Sequence, residues 1–305
     1  MKKEIYLFIL VMITVLLIGS FVSAGLFDWF EAKITGKPTS DTAALNITIG
    51  NTAPTVSFVA VIPAVTPNEG GVNYTTFIVN ATDTDGVDNL DDNSVEARFE
   101  LTGEITRVNT SCILLADIDA NSANYSCTVG FYYFDKNDAN WIVNVTVLDT
   151  NGARGINSST NVQFNLFPAM IMSPTTLAWA EFGVSETNKE STNPITINNT
   201  GNEIDLNINV TGFDLQGEDT ITQYIYAGNF SIENVTTTCV GTTPVNATST
   251  NVTSTILQRG NNSLNDNNAT SGQEQMFFCV TAVNSDLSAQ SYSSAAYGAW
   301  TIQII

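Results

Sequence analysis

Five aspartates fall within ten residues of the stretch ATDTDGVDNLDDN: Asp83, Asp85, Asp88, Asp91 and Asp92. Hard oxygen donors at this density suit calcium, which takes six to eight of them. The spacing is not that of an EF-hand, because Gly86 comes too early and no glutamate stands at the closing position. The same residues also suit a tight inter-strand turn, where Asp and Gly serve backbone geometry. No cofactor is expected, with calcium at these five aspartates as the alternative to the turn reading.

Catalysis finds little else to use. The chain has no histidine, which removes the commonest general base, the Ser–His and Cys–His nucleophile pairs and most zinc sites. Paired carboxylates of the glycosidase kind survive that cut. Glu218 with Asp219, and Asp117 with Asp119, are such pairs. Any acidic chain supplies similar pairs, and these fall between elements. No catalytic residue is assigned, and the chain is read as non-enzymatic. Tyr132, Phe134, Trp141, Trp179 and Trp300 offer rings for sugar stacking. The three tryptophans are read as core, and Tyr132 with Phe134 as an outward-facing aromatic pair.

Four cysteines, Cys112, Cys127, Cys239 and Cys279, form an even set. In an oxidising compartment they pair. Three connectivities exist, and pairing within each half needs no contact between halves. There is no C-x-x-C to hold a metal. Lys plus Arg is 10 against Asp plus Glu 30, for a net charge of −20. That excludes a nucleic-acid footprint and argues against anionic lipid headgroups.

The remaining chemistry is acceptor chemistry. Asn-x-Ser/Thr sequons begin at Asn46, Asn73, Asn80, Asn109, Asn124, Asn144, Asn157, Asn198, Asn209, Asn229, Asn234, Asn246, Asn251, Asn261 and Asn268. Composition alone predicts roughly seven, about half as many. Glycosylation needs these side chains on the surface, so the elements that carry them must expose them.

Those elements read as strands. SVEARFEL alternates on Val95, Ala97, Phe99 and Leu101. ANYSCTVGFYYF alternates on Tyr125, Cys127, Val129, Phe131 and Tyr133, and NWIVNVTVLD on Trp141, Val143, Val145 and Val147. Val162, Phe164 and Leu166 continue the pattern. DTDG, DANSAN, DKNDAN and DTNG separate the runs with turn chemistry. Period-2 strands at this spacing predict a β-sandwich over 54–167. In the second half, ITINNTGNEIDLNINV predicts two strands joined hairpin-like at Asn199–Asn202, with Leu206, Ile208 and Val210 on one face. Further strands are expected near 224–232, 276–283 and 300–304. A Ser/Thr/Asn-rich surface loop is expected over 236–271, inside a second sandwich over 168–305. In this register Asn80, Asn124, Asn144 and Asn209 alternate against apolar neighbours and face water. A one-residue slip would bury them all.

The N-terminus MKKEIYLFILVMITVLLIGSFVSA has a basic start, an apolar run and Val22-Ser23-Ala24 before Gly25. It reads as a signal peptide over 1–24, with an uncleaved membrane anchor as the alternative. Residues 25–53 read as a short amphipathic segment and a linker.

The stretches NTAPTVSF, TTFIVNATDTDGVDNLDDNSV and NVTVLDTNGA resemble the immunoglobulin-like repeats of secreted archaeal and bacterial surface proteins. The shared features are the A-x-D-x-D-G turn at Ala81–Gly86 and the V-x-V-x-D-x-x-G run at Val145–Gly152. ITINNTGNEIDLNINVTGFDL and YGAWTIQII resemble a second such module of archaeal envelope proteins. No Cys–Trp–Cys core of the antibody type is evident. The resemblance implies an all-β chain of two tandem Ig-like β-sandwich domains after the N-terminal hydrophobic segment. It implies a secreted or cell-surface structural or adhesion protein, glycosylated and disulfide-bonded, whose partners are envelope proteins or glycans. A carbohydrate- or protein-binding module is the alternative, as is a self-associating subunit of an extracellular filament or surface lattice. Membrane contact is expected only through an uncleaved leader.

Overall fold

The computed structural model describes residues 9–12 and 45–305, apart from 111, 237–238 and 261–271. Most of the leader and amphipathic segment, and the sequons at Asn261 and Asn268, lie outside the described residues. Residues 51–305 form one compact unit with separate apolar cores in its two halves. Apart from two single-turn 3-10 helices, Val87–Asn89 and Ala227–Asn229, the regular structure of this unit is β.

The first half holds β1 (Thr55–Val59), β2 (Val72–Thr82), β3 (Glu96–Glu100), β4 (Arg107–Asn109), β5 (Ile113–Asp117), β6 (Ser122–Tyr132), β7 (Asp138–Leu148) and β8 (Arg154–Phe164). They form two antiparallel sheets, ordered β1-β2-β6-β5 and β4-β3-β7-β8. The alternation seen in the sequence is what lets two sheets share one core. Val95, Ala97, Phe99, Tyr125, Cys127, Val129, Phe131, Trp141, Val143, Val145 and Val147 are all buried in it. Phe131 is the hub. Its ring lies 4.9 Å from Phe99 and 4.5 Å from Phe164, both stacked, and 5.0 Å edge-on from Trp141. These offset and edge-on geometries are the favourable ones for aromatic quadrupoles.

The second half holds β9 (Met170–Ser173), β10 (Thr187–Glu190), β11 (Ile195–Asn199), β12 (Leu206–Thr211), β13 (Leu215–Gly217), β14 (Tyr224–Ile225), β15 (Phe230–Glu233), β16 (Ser249–Leu257), β17 (Gln273–Ala282), β18 (Tyr292–Ser293) and β19 (Thr301–Ile304). One sheet runs β10-β17-β11-β9, with β15 also on β17; a second runs β16-β12-β19; a small third runs β14-β13-β18. Leu206, Ile208 and Val210 bury one face of β12 as expected.

Two expectations are corrected here. The loop over 236–271 contains β16, whose Val252, Thr255 and Leu257 are buried. Its run of Thr and Ser hid it, although threonine is itself a good strand former. The turn at Asn199–Asn202 does not close a hairpin either. β11 pairs with β9 and β17, whereas β12 pairs with β16 and β19, so the chain crosses between sheets there. Asn199, Thr200 and Asn202 are buried. Asn199 keeps its amide satisfied by donating to the carbonyls of Glu203 at 2.9 Å and Gln258 at 3.0 Å.

Candidate functional site

The aspartate-rich turn closes one end of the first sandwich. Asp83 is buried; one of its oxygens accepts the Asp85 amide at 2.8 Å and the other accepts Asn89 Nδ2 at 3.3 Å. Asp85 accepts the Thr52 amide at 2.6 Å, so it holds the entry to β1. Asp91 accepts the Asn93 amide at 3.1 Å, and Asp92 accepts the phenol of buried Tyr125 at 2.7 Å. Burial and Asp92 together push the Tyr125 phenol upward. Asp88 lies exposed. The five carboxylates serve different partners. Among the described residues, no group of three or more acidic or cysteine side chains is arranged to hold a metal ion. No role for calcium is built on them.

The neighbouring turn joins the same network. Asp149 begins the DTNG turn and is buried. Asn51 Nδ2 donates to it at 2.7 Å, and the amides of Asn151 and Ala153 donate at 2.9 and 2.8 Å. The Asn51 bond, backed by the turn's amides, holds the Asp149 carboxyl below the usual range. Asn151 Nδ2 reaches Asn51 Oδ1 at 2.7 Å, and Thr150 Oγ1 reaches Asn89 Oδ1 at 2.6 Å. The two motifs that carry the family resemblance are thus one connected cap.

At the opposite end the expected outward pair is corrected. Phe134 is 3% exposed, and only Tyr132 is half-exposed. β6 ends at Tyr132, and the turn after it brings Phe134 back against Tyr132, their rings stacked at 5.3 Å. Arg107 lies over Tyr132, with its guanidinium 4.4 Å from the ring centre, and forms an ion pair with buried Asp135. Asp135 also accepts the Tyr132 amide at 2.8 Å. Burial holds the Asp135 carboxyl above its ordinary range, and the Arg107 bonds oppose that shift. Trp141 is fully buried, while Trp179 and Trp300 are partly buried against the second half's cores.

This end meets the second half. Arg259 pairs with Glu104 and donates to the Phe134 carbonyl at 2.6 Å. Asn202 accepts the Phe167 amide at 2.7 Å and donates to the Asn165 carbonyl at 2.8 Å. Thr200 donates to Glu69 at 2.9 Å, and its carbonyl accepts the Gly70 amide at 2.9 Å. A Cβ at Gly201 would fall 2.0 Å from the Phe167 carbonyl oxygen, so only glycine fits. Arg259→Ala strands a nearly buried Glu104. The expected cost is about 2 kcal/mol, discounted from a fully buried pair because some solvent reaches both partners. Urea unfolding checks the cost, and proteolysis near 165–169 should accelerate as the junction loosens.

The sequon asparagines take the predicted face. Asn80, Asn124, Asn144 and Asn209 alternate with buried neighbours and are partly exposed. No described sequon asparagine is buried. Their amides differ in engagement. Asn157 Nδ2 donates to the Val56 carbonyl at 3.0 Å and Asn109 Nδ2 to the Thr128 carbonyl at 2.6 Å, whereas Asn46 is exposed. The carboxylates proposed as pairs remain apart in role: Asp117 ends β5, Asp119 accepts the Asn121 amide at 2.8 Å, and the Asp219 amide is held by Gln290 at 2.8 Å.

The cysteines pair within each half, Cys112 with Cys127 and Cys239 with Cys279. No cysteine is left free. A scan against protein-family models finds no match, and a search of curated proteins finds none either. One cluster escaped the sequence reading. Tyr226 and Tyr297 are exposed around half-buried Tyr224, with ring centres 6.3 and 6.1 Å from it, at the small third sheet. The spacing Tyr224-x-Tyr226 was its only local signal.

Proposed function

We propose that this chain is an exported, non-enzymatic structural or adhesive protein of a cell surface, built from two immunoglobulin-like modules. The observation that carries the reading is the pairing of all four cysteines within their own halves. Such crosslinks persist in oxidising, extracellular compartments. The partly exposed sequons and the net charge of −20 support a glycosylated, self-repelling surface. The stitched junction around Asn202 and Arg259 supports a stiff spacer that holds a display surface away from the membrane. The tyrosine cluster at Tyr224 is the feature on which a glycan-binding reading rests.

Intact mass spectrometry of material from the native host tests the proposal. The expected masses lack the leader, lack four cysteine hydrogens and carry added sugar. A reduced, unmodified, full-length mass would overturn the reading.

A further inference from the structure

We propose that the outer edge of β5 receives residues 45–49 of a second copy of this chain as an added strand. The inference rests on the reading of an extracellular structural protein and deepens it into a mode of assembly.

β5 closes the sheet β1-β2-β6-β5 and bonds to β6 alone among the described strands. Every one of its residues is exposed: Ile113 at 69% and Leu115 at 54%, followed by Ile118 at 50%. Edge strands are ordinarily guarded by Lys, Pro or covering elements. Residues 109–121 contain no Lys, Arg or Pro. The other edge of the same sheet is covered. Asn157 donates to the Val56 carbonyl, and β8 approaches so closely that a Cβ at Gly155 would sit 2.3 Å from the Pro54 oxygen. β5 has one irregularity, a register shift against β6 between Leu114 and Ala116. It has no Lys, Arg, Pro or covering strand among the described residues, and an exposed apolar edge of this kind is what strand addition uses.

The occupant is written in the same chain. Leu45, Ile47 and Ile49 alternate with Asn46 and Thr48, the pattern of a half-buried strand. Yet these three side chains are 82%, 77% and 88% exposed, so no apolar partner covers them among the described residues. The five residues match the length of β5. They carry no charge, and β5 carries one carboxylate, Asp117. In a chain of net charge −20, most contacts between copies bring like charges together; this pairing does not. The faces also agree. Leu114 lies opposite Tyr125 on the core side, and Ala116 opposite Asn124 on the solvent side. A strand that sets Leu45, Ile47 and Ile49 on the core side places Asn46 on the partly exposed face of Asn80 and Asn124. Donor and acceptor are different surfaces, so the contact is heterologous and propagates into a filament unless it closes into a ring.

Sedimentation velocity on the full chain, over roughly 10 to 200 µM, tests the proposal. The expected result is a concentration-dependent series of oligomers. Ile47→Asp, outside the sandwiches, is expected to weaken self-association at least about tenfold while leaving the melting curve unchanged. Leu115→Lys, on the edge, should do the same. Mixed together, the two variants should form a dimer that grows no further, because one retains the edge and the other the donor. Three results would overturn the proposal: a wild-type monomer at every concentration, Ile47→Asp oligomers like those of wild type, or variants that fail to pair on mixing. If Leu115→Lys does not fold, Ile47→Asp alone decides. A monomeric result leaves the exported-protein reading intact, since that reading is settled by mass.

Discussion

Replacing both cysteine pairs with alanine is expected to produce the largest loss of stability available by substitution. The Cys112–Cys127 link spans 15 residues and the Cys239–Cys279 link 40. In the chain-entropy model they contribute about 3 and about 4 kcal/mol, by restricting the unfolded chain. Each link is anchored in its own half. Cys127 stands in the centre of β6 among the first core, and Cys279 stands on β17, the strand shared by β10, β11 and β15. Urea unfolding followed by near-ultraviolet circular dichroism should show each pair lowering the transition of its own half first. An unchanged midpoint for either double variant would contradict the expectation. Substitution is the better probe than a reductant, because Cys112, Cys127 and Cys279 are buried and meet a reductant only after opening.

The second large effect is expected at Asp135. Asp135→Ala leaves the Arg107 guanidinium without its carboxylate in a site only 11% exposed, and it orphans the Tyr132 amide. Breaking a buried pair from one side costs about 3 to 5 kcal/mol, because the remaining charge stays desolvated. Tyr132, stacked beneath Arg107, offsets only part of that. Replacing both partners, Arg107→Leu with Asp135→Leu, should recover most of the loss in a double-mutant cycle. The pH dependence has a definite sign. Burial raises the folded carboxyl above its unfolded value, so the folded state holds the proton more tightly. This group's contribution is therefore most favourable below the ordinary carboxylate range, and it declines as pH rises through that range towards the folded value. Asp149 behaves oppositely. Its folded carboxyl is held low, so its contribution is full above the ordinary range and is lost as pH falls through the folded value. Comparing stability against pH in wild type, Asp135→Asn and Asn51→Ala separates the two.

Much of the candidate display surface was legible because it follows from period 2. Phe77, Val79 and Ala81 turn inward, and Asn80 then has one face left. The hydrophobic alternation specifies the register, and the register specifies which amides meet solvent. Where the pattern was polar on both faces, legibility failed. The strand at Ser249–Leu257 was hidden by threonines, one of which, Thr255, is itself buried. Phe134 was misplaced because alternation was extended past Tyr132, where β6 stops and the turn reverses the side chain's direction.

By itself, then, the amino-acid order determined an all-β chain and the inward and outward rows of its long strands. These are local matters that side-chain periodicity and turn residues settle, whereas the choice among three cysteine pairings fell to the tertiary structure. Only the tertiary structure decided that Asn199–Asn202 crosses between sheets and docks on Phe167, that Arg259 reaches Glu104, and that the aspartate turn and the DTNG turn share one network through Thr150 and Asn89. Those contacts join residues tens to more than a hundred positions apart. A loop's sequence records that it turns, while its partner is chosen by the packing of the sheets that carry it.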